Sequence, residues 1–224
     1  MHAMRRPRPI DRSIRNAAVF VITLVAASMF GATEERLGSW GNGFAHQVGG
    51  QMSALWLLVP FLAGVTQARR TSAMTIAVVA SWVSLLAYVA MNLSPVAGVH
   101  WSSRPVGLYG TWNEVSMAMV SAALLSQWPW FVGATLLGPF LGWLGWRWRT
   151  EWRWLLALPV ALMIAVEPAG RWLASSIGVN DVPWFPFSWP STSGGQAAEI
   201  SEALTGLSLV VIVFVIHSRK RRVH

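Results

Sequence analysis

The sequence predicts an all-α polytopic membrane protein of six transmembrane helices, with an extra re-entrant or interfacial helix on the outer side. Two observations predict it. Six apolar stretches recur along the 224 residues, over 14–32, 52–68, 73–91, 127–146, 154–173 and 197–216. A helix rises 1.5 Å per residue, so about 20 residues cross the ~30 Å hydrocarbon core of a bilayer. The gaps between the stretches then sort the positive charge. Arg5, Arg6, Arg8, Arg12, Arg15, Arg69, Arg70, Arg147, Arg149, Arg153, Arg219, Lys220, Arg221 and Arg222 fall on one side, and only Arg36, Arg104 and Arg171 on the other. The positive-inside rule therefore puts both termini in the cytoplasm of a cell whose cytoplasmic (inner) membrane the chain spans, here read as bacterial. Residues 1–13 and 219–224 are basic cytoplasmic tails, and 14–218 form a single transmembrane domain.

Composition agrees. Hydrophobic residues make up 54% and charged residues 12%, about half the charge of a soluble domain. The absence of cysteine excludes thiol catalysis, disulfides and Cys-ligated metals. The net charge of +8 sits at helix ends and tails, where anionic lipids at the cytoplasmic face are a sufficient partner and nucleic acid is not required. The apolar run after Arg15 is longer than the core of a signal peptide, so it reads as a retained first helix.

In chain order, the tail 1–13 is Arg/Pro-rich and reads as unstructured. The first outer loop, 33–51, opens with Glu34-Glu35-Arg36 and carries glycines at 38, 41, 43, 49 and 50, which predicts irregular backbone. Helix two holds Pro60 near its middle, a kink that neighbouring helices tolerate. The short turn Arg69-Arg70-Thr71-Ser72 makes helices two and three an antiparallel hairpin. The 32 residues from Val115 to Trp146 would form a helix of about 48 Å, too long for one upright span. Pro129 offers the break, leaving 115–126 as a re-entrant or interfacial piece. The last outer loop, 178–196, interleaves Pro183, Pro186 and Pro190 with Trp184, Phe185, Phe187 and Trp189, and reads as an interfacial segment or a lid. Most of the 15 tryptophans fall at the two headgroup levels. Trp82, in mid-helix, reads as a packing residue. Gly138, Gly142 and Gly145 give helix four a smooth face for close packing, within the protein or against a partner or second copy.

Acidic residues favour the outer side, where seven face three basic residues; the inner side holds two against fourteen. That imbalance makes an outer mouth attractive to cations. Glu167 is the sharpest candidate, because a carboxylate so deep in a helix must face the bundle, a partner or water. Arg171 lies one turn later and is able to pair with it. Pro168 frees a carbonyl one turn earlier. Glu114, Glu199 and Glu202 complete the candidate binding set, although helix-dipole compensation at a helix N-terminus accounts better for the last two.

Enzyme signatures are missing: no HExxH, no GxSxG, no P-loop. His2, His46, His100, His217 and His224 are scattered, with no two on one helix, and the sequence assigns no cofactor or metal. Glu34-Glu35-Arg36 is similar to the paired glutamates of intramembrane CAAX-type proteases, but the further arginine and the later helical histidines of those enzymes have no counterparts. The segment Trp56-Leu57-Leu58-Val59-Pro60-Phe61-Leu62-Ala63-Gly64 ending in Arg69-Arg70 resembles a family of uncharacterised multispanning membrane proteins from actinobacteria. So does Gly138-Pro139-Phe140-Leu141-Gly142 ending in Arg147-Trp148-Arg149, followed by the late Glu167. That resemblance implies a six-helix topology and carries no activity. The expectation is a protein that handles a small solute or ion from an outward-facing site, as a binding or transport subunit needing a partner. The alternative is a non-catalytic accessory subunit of a larger membrane complex.

Overall fold

The structure, a computed structural model, describes residues 9–39, 53–93, 117–151, 154–176 and 196–221. Every element among them is helical: α1 (Pro9–Ser39), a 3-10 turn (Ser53–Leu57) leading into α2 (Leu58–Thr66), α3 (Arg70–Leu93), α4 (Met117–Ser126), α5 (Trp128–Glu151), a second 3-10 turn (Trp154–Ala157) leading into α6 (Leu158–Ser176), and α7 (Gln196–Arg221). Two helical segments, Ile14–Leu37 and Arg70–Leu93, are long and apolar enough to cross a membrane, and α4 with α5 makes a third if the bent pair is one span. The apolar segments Leu55–Thr66, Leu155–Gly170 and Ile200–Ile216 are shorter.

Several boundaries differ from the sequence reading. α1 begins at Pro9, inside the expected tail, and runs through Glu34-Glu35-Arg36 to Ser39, so those residues are helical and not loop. α7 likewise continues through Arg219 to Arg221. Pro60 sits where the 3-10 turn becomes α2 rather than in mid-helix, and Pro159 holds the matching place at the start of α6. In the first turn of an α-helix the missing N–H of proline costs nothing, because that N–H has no partner inside the helix. The break expected at Pro129 falls at Gln127, and α4 and α5 meet there at 50°. Trp130 N–H and Phe131 N–H both donate to the Gln127 carbonyl, at 3.0 and 3.3 Å, which starts α5 just ahead of its proline. The remainders of both long outer loops lie outside the described residues.

α3 is the central helix. α1 packs on one side of it and α5 on another, while α2 lies against both α3 and α5. Small residues allow this. Ala73, Ala77, Ala80 and Ser84 form a buried stripe along α3 at helical spacing. A Cβ placed on Gly31 of α1 would collide with the Ser84 carbonyl, one on Gly142 of α5 with the Ala73 carbonyl, and one on Gly145 with the Phe61 carbonyl of α2. Among lipid tails no hydrophobic drive pushes helices together, so close backbone approach and the dispersion it gives must hold them. Leu57 and Phe61, Leu141 and Leu144, and Val160 and Ile164 then form one buried cluster joining α2, α5 and α6. The outside is equally apolar: Ile14, Ile22 and Met29 on α1 and Leu204, Leu207 and Val211 on α7 are all exposed. Water penalises such a surface by about 25 cal/mol per Å², whereas acyl chains do not.

Candidate functional site

α6 and α7 form a tight pair. A Cβ on Gly206 would run into the backbone and side chain of Ala165. Leu209, just beyond Gly206, reaches the cluster that holds Leu156, Ala157 and Val160 at the start of α6, so α7 runs antiparallel to α6. Glu202 precedes Gly206 by one turn and shares its inward face; it is fully buried. Glu167 follows Ala165 by two residues and is fully buried as well. From the Gly206–Ala165 contact, the two carboxylates lie about 6 and about 3 Å toward the same end of the pair. They occupy one layer of the bundle. Each has an electrostatic or hydrogen-bonding partner. α6 continues through Pro168, which leaves the Ile164 carbonyl without its helical donor.

The other expected site residues are placed less closely. Arg171 lies in α6 one turn after Glu167 and Glu199 lies in the first turn of α7; both side chains, and all of Glu114, fall outside the described residues. Gly142 and Gly145 are enclosed between α5 and its neighbours α3 and α2, and a Cβ on Gly138 would come within 3.1 Å of a Val78 methyl group of α3.

A second group of carboxylates is one the sequence reading left aside. Thr23, Ala27, Gly31 and Glu35 recur every four residues and are all buried, so α1 turns one continuous stripe inward. Glu35, 5% exposed, accepts a hydrogen bond from Asn92 Nδ2 of α3 at 2.7 Å. Glu34 accepts one from the Trp56 indole. Its Oε2 is sealed from solvent with no hydrogen-bond partner. Trp56 stands edge-to-face with Phe30 at 5.2 Å and with Tyr88 at 6.0 Å between ring centres. The 3-10 turn that carries Trp56 also touches α6. The missed signal was the four-residue repeat ending at Glu35, which outweighed the local glycine content.

At the opposite end the chemistry is different. Arg149 Nη1 donates to the Thr66 carbonyl at 2.9 Å and the Val65 carbonyl at 3.3 Å, which satisfies the open C-terminus of α2. Arg147 pairs with Glu151 and its guanidinium lies 5.3 Å above the Trp143 ring. These are contacts of an end that carries positive charge, separate from the buried carboxylates of α1, α6 and α7.

Comparison of the chain with known protein families, curated proteins and solved structures finds no match.

Proposed function

We propose that this chain is an integral protein of a bacterial cytoplasmic membrane, six-spanning with both termini inside, that takes up or senses a small ion or solute at an outward-facing site built on Glu167 and Glu202. The observation that carries the proposal is the complete burial of both carboxylates on adjoining helices, α6 and α7, in a molecule whose exterior is apolar. A carboxylate held away from water costs several kcal/mol unless a counter-charge, a proton or hydrogen bonds compensate it. Two in one layer raise that cost and favour a cationic ligand. Arg171, one turn after Glu167, is the nearby basic residue of α6 and would compete with such a ligand. The chain has no nucleotide-binding motif, so any ATP-driven cycle would need another chain. The accessory-subunit alternative loses one of its supports, since Gly138, Gly142 and Gly145 meet α3 and α2 and offer no open face.

Thermal melts of Glu167→Gln and Glu202→Gln with and without candidate cations, alongside uptake into proteoliposomes, test the reading. A functional site gives variants that fold but lose ligand-induced stabilisation and uptake. A purely structural pair gives a destabilised Glu167→Gln that Arg171→Gln largely restores. That second result defeats the proposal.

A further inference from the structure

Glu34 and Glu35 lie on α1, a helix that the α6–α7 reading does not use, and three features around them favour positive charge. They sit in the last turns of α1, and Asn92 sits in the last turn of α3. Both helices therefore present the end with open carbonyls and partial negative charge. The rings of Phe30, Trp56 and Tyr88 gather beside the carboxylates, and aromatic faces attract cations. Glu34 Oε2 is sealed inside the protein with no hydrogen-bond partner, although a carboxylate oxygen so placed needs a donor or a counter-charge.

We propose that this cluster is a second binding site, for a compact ammonium-type cation. Its N–H groups donate to Glu34 Oε2 and to the Glu35 carboxylate, and its carbon substituents rest against Trp56 and Tyr88. Asn92 holds the Glu35 carboxylate and the Trp56 indole that of Glu34. A divalent metal fits less well: it takes six or more oxygen ligands, and among the described residues no three or more His, Cys, Asp or Glu come together. Arg36, next in the chain, has an interaction of its own.

The test is a titration of the purified protein in detergent with methylammonium chloride and, at equal ionic strength, sodium chloride, followed by thermal melting. The melting temperature is expected to rise with methylammonium beyond its value in sodium. Glu34→Gln, which keeps the shape and removes the charge, is expected to weaken the apparent affinity roughly ten- to hundredfold. Glu167→Gln is expected to leave it unchanged. Glu35→Gln, read in the same titration, replaces Glu34→Gln if that variant does not fold. No methylammonium-specific rise in the unmodified protein, or a rise undiminished in Glu34→Gln and Glu35→Gln, overturns the site. A rise lost in Glu167→Gln and kept in Glu34→Gln also overturns it, while upholding the α6–α7 reading.

Discussion

Trp82 shows what a single polar atom requires in an apolar setting. The residue is 42% exposed on α3, yet its indole N–H donates to Thr135 Oγ1 of α5 at 3.1 Å. Thr135 in turn donates to the Phe131 carbonyl at 2.7 Å, and the Phe131 ring meets Trp82 edge-on at 5.6 Å. Against hydrocarbon an indole N–H has no water to fall back on, so the hydroxyl is its acceptor. Interhelical hydrogen bonds in membranes average about 0.6 kcal/mol and reach about 1.7. Thr135→Val is therefore expected to destabilise by roughly 1 kcal/mol, and adding Trp82→Phe should cost little more. Denaturation of the four proteins of this double-mutant cycle checks it, and additive losses would show that the bond contributes nothing.

At the scale of elements, close approach between helices sets the hierarchy among glycines. A Cβ on Gly142 would overlap the Ala73 carbonyl and the Ala77 Cβ, both fixed by helix α3, whereas one on Gly138 would come no nearer than 3.1 Å to a Val78 methyl group and 3.3 Å to the Val78 Cα. Gly142→Ala is expected to cost about 1–3 kcal/mol, and Gly138→Ala less than about 1 kcal/mol. Equal melting losses for the two would contradict that ranking. Why the sequence showed some boundaries and hid others follows from the same elements. The apolar stretches emerge as helices because their composition allows little else. The end of α1 was hidden because glycine content predicts loop locally, while the inward stripe Thr23, Ala27, Gly31, Glu35 keeps the helix going to Ser39. The break before α5 was legible to within two residues: Pro129 has no N–H for the Leu125 carbonyl, so the change of direction comes just ahead of it.

Across the whole molecule, the charge pattern speaks about orientation more plainly than any helix does. Single cysteines introduced into this cysteine-free chain at Ser39, Ser191 and Ser218 provide the test. Those at 39 and 191 are expected to react with an impermeant maleimide in intact cells and that at 218 to stay unlabelled; the reverse pattern would overturn the orientation. The candidate site was only partly visible from sequence. Glu167 stood out because a carboxylate in an apolar run is conspicuous alone. Glu202 and the Glu34–Glu35 pair are indistinguishable in sequence from loop acids or helix-dipole partners, and only the burial of Glu202 and the contacts of Glu35 with Asn92 and of Glu34 with Trp56 distinguish them.

The tight pairing of α6 with α7 also bears on how the chain is made. By Glu151 the ribosome has produced every helix of the α1, α2, α3 and α5 assembly, which is able to close on its own contacts while the remainder is still being synthesised. The last two helices then arrive as a hairpin clasped at Gly206 and Ala165, and it docks through Val160 and Ile164. That contact sets Glu167 and Glu202 toward the same end of the hairpin before the rest of the protein receives it.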